Sequence, residues 1–155
     1  MQGLSSASNR SIALLAVLLL AGTGCSRNSS NSVRTVPIQQ NWELQPGKIV
    51  GGHRIAGGLG DISIEMGGDR VYAPFDGELQ PNDVERCYIF SSPQLPAYLF
   101  RICGLKSAQV GLMQQGDTLG SADYLQFATL RRQPDGKWAI VEPASDILER
   151  ILKQQ

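Results

Sequence analysis

The chain has 155 residues with 14 Lys and Arg against 14 Asp and Glu, so it is close to neutral. That balance offers no concentrated basic surface of the kind nucleic-acid binding requires, so no nucleic-acid partner is expected. Glycine (17) and proline (8) are plentiful and aromatic residues few, a composition suited to short strands separated by many turns.

The first segment reads as an export signal. Arg10 precedes the apolar run Ile12 to Ala21, no acidic residue occurs before Cys25, and the small residues Gly22-Thr23-Gly24 lead directly to that cysteine. A positive n-region, a short apolar h-region and a small-residue cleavage site predict a signal peptide over residues 1–24. The apolar run falls short of the ~20 residues needed to span a bilayer. Small residues followed by Cys resemble the lipobox of bacterial lipoproteins, although Gly22 stands where that pattern usually has Leu. The resemblance implies a mature chain that starts at Cys25 and is held on the exported face of a membrane (periplasm or an equivalent lumen) by acyl chains such as palmitate. The alternative is a plain cleaved signal with an incidental cysteine. Ser26 to Ser32 is polar and built from small residues, so residues 25–41 are read as a lipidated cysteine and flexible tether.

Beyond the tether about 115 residues remain, enough for one domain with one core. Trp42-Glu43-Leu44 is expected to be a first strand, with Pro46-Gly47 as its turn and Lys48-Ile49-Val50 as a short apolar segment. Gly51-Gly52 and Gly57-Gly58 mark bends or bulges. Asp61-Ile62-Ser63-Ile64-Glu65 alternates polar and apolar, the period of a half-buried strand, and Gly67-Gly68 suits a hairpin-type turn after it. Val71-Tyr72-Ala73 and Glu78-Leu79 are expected to flank the turn Pro74-Phe75-Asp76-Gly77. Cys87 to Phe90 and Tyr98 to Cys103 read as an antiparallel hairpin about Ser91 to Pro96, which brings Cys87 and Cys103 close. In an exported protein they are expected to form a disulfide; two buried free thiols are the alternative. Gln109 to Met113, Tyr124 to Leu130 and Trp138 to Val141 complete the strands, with turns at Gln115-Gly116-Asp117 and Pro134-Asp135-Gly136. One helix is predicted at the end. Pro143 suits its first turn, Asp146 and Glu149 its N-terminal half and Lys153 its last turn. Ile147, Leu148, Ile151 and Leu152 share one face.

Two segments resemble the lysostaphin-type (LytM-like) zinc endopeptidases, which cut peptidoglycan cross-bridges. Gly68 to Leu79 looks like the family's strand–turn–strand around an Ala-Pro-x-x-Gly core. Gln115 to Gly120, followed by Tyr124 to Phe127, Leu130 to Arg132, Gly136, Val141 and Pro143, looks like its Gly-x-x-Leu-Gly turn, His-x-His-Phe strand and closing Val-x-Pro. The resemblance spans roughly residues 45–150. It implies a mainly β fold over 42–155, a single β hybrid barrel or sandwich with a short C-terminal helix. A related resemblance is to the biotinyl and lipoyl carrier domains, which share the Val-x-Ala-Pro-x-x-Gly hairpin. The carrier lysine should stand at Met66, and no lysine occurs between Lys48 and Lys106.

The family's metal chemistry requires imidazoles that this chain does not place there. The His-x-His positions hold Tyr124 and Gln126, neither of which replaces a zinc-bound imidazole at neutral pH. Asp61 stands near the position of the metal-binding aspartate, and Ala128 replaces the usual Glu. His53 is the only histidine; it reads as a surface turn residue, or else as a lone ligand or base. No catalytic residues, metal or cofactor are therefore expected. Asp61, Tyr72, Tyr124, Gln126 and Phe127 form a candidate vestigial groove; the tyrosines and the phenylalanine are equally consistent with core or strand-surface positions. Arg131-Arg132 reads as a solvated strand end, with anion binding as the alternative, and Pro93, Pro96 and Tyr98 as a contact loop or a wide turn.

The expected function is that of a non-catalytic, membrane-tethered binding, scaffold or regulatory subunit of an envelope protein complex. The partner would be a protein, met at the Tyr124–Gln126 groove or the 91–97 loop. The alternatives are a peptidoglycan-binding module and a hydrolase with an altered site drawing on Asp61, Asp76 or Asp123. The anchor is tested directly: Cys25→Ser is expected to move the protein from the membrane to the soluble fraction, and a variant that still sediments with membranes excludes lipidation as the anchor.

Overall fold

The computed structural model describes residues 41–154. The expected signal peptide, Cys25 and the tether through residue 40 lie outside the described residues. The chain forms β1 (Ile49–Val50), β2 (His53–Leu59), β3 (Asp61–Glu65), β4 (Arg70–Tyr72), β5 (Gly77–Pro81) and β6 (Cys87–Ser91). It continues through β7 (Tyr98–Cys103), β8 (Gly111–Met113), β9 (Thr118–Ser121), β10 (Tyr124–Arg132) and β11 (Trp138–Val141), and ends in one helix, α1 (Ser145–Leu152). The fold is mainly β and antiparallel, with a short C-terminal helix, as expected. Nine strands make one sheet in the order β1-β2-β3-β10-β7-β6-β5-β8, with β11 also paired to β10, while β4 and β9 form a separate two-stranded sheet. The large sheet does not close into a barrel: β1 and β8 end it. These end strands are two and three residues long.

Alternation along the central strands builds the core. Leu125 and Phe127 on β10, Phe100 and Ile102 on β7, Ile62 and Ile64 on β3, Phe90 on β6 and Leu79 on β5 are all buried on one face. The ring of Phe100 stacks on Phe127 at 5.7 Å and lies 6.4 Å from Phe75 and 6.5 Å from Phe90. Val71 and Leu119 from the small sheet join the same cluster, as do Leu148, Ile151 and Leu152 of α1. The helix packs beside β4 and β1, and its Arg150 guanidinium sits 5.3 Å from the Phe75 ring centre.

Four expectations about strands and turns need correction. Trp42 to Leu44 is not a strand; the Leu44 N–H donates to the Glu142 carboxylate at 2.9 Å, which ties the start of the domain to the segment before α1. His53 to Leu59 is a strand, not a series of bends, because pairing with β3 extends it through Gly57 and Gly58; the expected bulge is present between Ile55 and Gly57. Gly67-Gly68 turns the chain with positive φ at both residues but joins no hairpin. Its N–H groups bond to the Asp123 and Ala122 carbonyls, and the chain passes from the large sheet into the small one. Pro74 to Gly77 makes the return crossing, since β4 pairs with the unforeseen strand β9 while β5 pairs with β6 and β8. Gly77 is required by a close approach: a Cβ there would lie 2.2 Å from the Ser91 carbonyl oxygen.

At the helix, Pro143 stands one residue before the Ala144 N-cap rather than within the first turn. The β6–β7 hairpin has the expected register. Cys87 pairs with Cys103, and a disulfide joins them. The sequence separation of 16 defines a loop whose closure stabilises a fold by about 3 kcal/mol. Cys87→Ala/Cys103→Ala is expected to lower the unfolding free energy by about that amount in guanidinium titrations, with strand content preserved by circular dichroism.

Candidate functional site

Asp61 begins β3, which pairs with β10, and β10 pairs on its other side with β7. Ile62 lies opposite Phe127 and Arg101 opposite Ala128, so Asp61, Ala128 and Arg101 form a row across three strands. The Arg101 guanidinium reaches across Ala128 to the Asp61 carboxylate, Nη2 to Oδ1 at 2.5 Å. The small side chain at 128 leaves room for that crossing. Both partners are largely shielded, and Arg101 Nε is buried with no hydrogen-bond acceptor among the described residues. The carboxylate is thus committed to a cation 40 residues away in sequence.

Tyr124 and Gln126 lie on the outward face of β10. Gln126 is opposite Ser63 on one side and Cys103 on the other, and Tyr124 is exposed. Phe127 points the other way, into the core. Tyr72 lies in the small sheet, half-buried beside Asp69, Arg70 and Leu152. The five groove residues therefore do not line one common surface: Asp61, Tyr124 and Gln126 share the outer face of the sheet, and the other two do not.

His53 is not a surface turn residue. It opens β2 with its side chain 13% exposed, Nδ1 facing the Gly51 carbonyl oxygen at 3.2 Å and Nε2 facing Asp69 Oδ2 at 3.0 Å. Both ring nitrogens are thus engaged within the fold. The three aspartates considered for acid–base chemistry have separate partners. Asp61 is held by Arg101, Asp123 by Lys106, and Asp76 Oδ1 accepts the Gln115 N–H at 2.8 Å. Among the described residues no group of three or more His, Cys, Asp or Glu is placed to hold a metal ion. None of the described helices is long and apolar enough to cross a membrane. Arg131 and Arg132 end β10 as exposed residues, and the Arg132 N–H donates to the Ala97 carbonyl.

The 91–97 loop borders a further groove. Ser91 and Pro93 form one wall, β8 the other, and Asp76, Glu78 and Asp117 line it, enclosing about 540 Å³. Glu78 lies directly opposite Leu112 in the β5–β8 register, and Leu112 is 87% exposed. Val110, just before β8, is exposed as well. The sequence signal for this surface is faint. Leu112 lies in a recognisable strand, but nothing local shows that the strand ends a sheet.

No protein-family model matches the chain, and no curated protein matches it.

The Asp61–Arg101 pair yields a direct test of its role. Asp61→Asn is expected to lower unfolding free energy by roughly 1–3 kcal/mol, because it strands a shielded guanidinium. Asp61→Leu/Arg101→Leu together should cost less than either Leu substitution alone, since removing both charges leaves neither unpaired. Urea unfolding of the wild type and the four variants measures both.

Proposed function

We propose that the chain is a non-catalytic, membrane-tethered binding subunit that docks an extended segment of a partner envelope protein along the free edge of β8. The observation that carries this reading is the edge itself. β8 pairs with β5 on one side and has no strand on the other among the described residues, with Leu112 projecting almost fully into solvent. An open strand edge presents backbone N–H and C=O groups to an incoming strand, and neighbouring side chains select its sequence. The adjoining groove carries Asp76, Glu78 and Asp117 and no basic residue, so the docked segment would be cationic with apolar residues interspersed.

On this reading the domain is a degenerate relative of the LytM-like peptidases, fixed to the exported face of a membrane through a lipid on Cys25. What supports it is the replacement of the imidazole positions by Tyr124 and Gln126 and the use of the nearby aspartate in an ion pair. Fold kinship alone does not assign a partner; what supports a cationic, extended one is the open edge and the carboxylates beside it.

The test uses the full-length, membrane-bound chain with a photo-crosslinking side chain in place of Leu112. A discrete protein adduct is expected, and Glu78→Lys should reduce its yield several-fold through charge repulsion. Recovery of lipid or glycan alone, or an adduct indifferent to Glu78→Lys, overturns the proposal. The purified protein is further expected to hold no stoichiometric zinc and to release no fragments from peptidoglycan.

A further inference from the structure

His53 is the only histidine of the chain, and the fold gives its ring two partners of the same kind. Nδ1 faces the Gly51 carbonyl oxygen at 3.2 Å, and Nε2 faces an Asp69 carboxylate oxygen at 3.0 Å. A carbonyl and an ionised carboxylate accept hydrogen bonds and donate none. The ring therefore makes both bonds only when each nitrogen carries a hydrogen, which is the imidazolium form. A neutral imidazole has a single N–H, so one of the two contacts must then be lost.

The two partners differ in freedom. Gly51 turns the chain between β1 and β2, and a Cβ on it would lie 2.7 Å from Leu152 Cβ, so this turn sits directly against the end of α1. The Asp69 side chain is 70% exposed and follows the Gly67-Gly68 turn, where the chain crosses between the sheets. A carboxylate facing an Nε2 lone pair has lost its hydrogen bond and is repelled, and rotation into water relieves both. The neutral ring accordingly keeps Nδ1–H on the Gly51 carbonyl and lets Asp69 go. Of the other charged groups around the ring, Arg54 is held by Glu65 of β3 at 2.9 Å, and Arg70 follows Asp69. β1 places Val50 opposite His53 and α1 places Leu152 on Gly51, with Lys48 and Lys153 exposed beyond them.

Asp69 also lines a hollow of about 530 Å³, together with Arg70, Tyr72, Leu152 and Gln154. We infer that His53 is a pH-operated latch on this hollow. The protonated ring holds Asp69, and with it the Gly67–Asp69 crossing, against the β1–β2 hairpin. Loss of one proton frees the carboxylate to turn away from β2 into the hollow, where Arg70 stands. Imidazole suits this task, since histidine is the side chain that changes charge within about pH 5 to 8. The latch rests on these contacts alone and is independent of the docking reading.

The experiment follows the full chain by nuclear magnetic resonance from about pH 5 to about pH 8. A single histidine leaves no ambiguity in the imidazole signals. Both ring nitrogens are expected to be protonated at the acid end, with the Nδ1–H form at the alkaline end. The Asp69 Hα–Hβ couplings should pass from one rotamer to an average of several, and the Gly67 and Gly68 amide shifts should move, all with the midpoint of the ring. His53→Gln should leave those couplings and shifts flat. Asp69→Asn, whose amide can donate to the neutral ring, should shrink the amide response several-fold while the ring still titrates. A ring that keeps one charge state throughout, an Nε2–H form at the alkaline end, Asp69 couplings unmoved by the ring's titration, or a Gly67–Gly68 response that survives His53→Gln overturns the inference.

Discussion

The simultaneous pairing of β10 with β3, β7 and β11 is the constraint on which the rest of the domain depends. A strand bound on both edges cannot slip by one residue without exchanging its buried and solvent faces. Leu125, Phe127 and Thr129 therefore face inward, while Tyr124, Gln126 and Ala128 face the other side. Phe127 meets Phe100 across the β7 pairing, and that stack links the centre of the sheet to Phe75 and Phe90. The same register sets Ala128 between Asp61 and Arg101, so one strand's placement organises both the aromatic core and the ion pair above it.

Asp61 and His53, the aspartate and the histidine with potential ligand chemistry, thus have structural partners. Asp61 neutralises a shielded guanidinium, and His53 bridges the Gly51 carbonyl and the Asp69 carboxylate. Such pairs contribute modestly to stability when formed and cost more when one partner is removed. Surface available for recognition lies elsewhere, in two openings that the β6–β7 hairpin borders. One offers an open strand edge with three carboxylates, and the other an apolar cavity walled by Leu95, Val141 and Ile147. The disulfide at the far end of that hairpin fixes its register and hence the position of both surfaces.

Much of the local structure is legible in the residues themselves. The alternation in Asp61 to Glu65, the paired cysteines about a Pro-containing turn, Pro134-Asp135-Gly136 before Trp138, and the Leu148–Ile151–Leu152 face of the helix each depend on a few neighbouring residues. Periodicity and turn chemistry act at that range, so they can be read from a short window. β2 escapes because its glycines suppress the strand pattern, and β9 because Thr118 to Ser121 has little pattern of its own until β4 lies beside it.

The amino-acid order alone determined the class of the domain, its disulfide hairpin and its closing helix, since these follow from nearest-neighbour patterning. Tertiary structure alone decided that the chain crosses between two sheets at Gly67-Gly68 and Pro74 to Gly77, and that Asp61 meets Arg101. It also decided that β8 lies at an edge and that His53 meets Asp69. Each of these is a contact between segments remote in sequence, and no local propensity encodes which remote segment arrives.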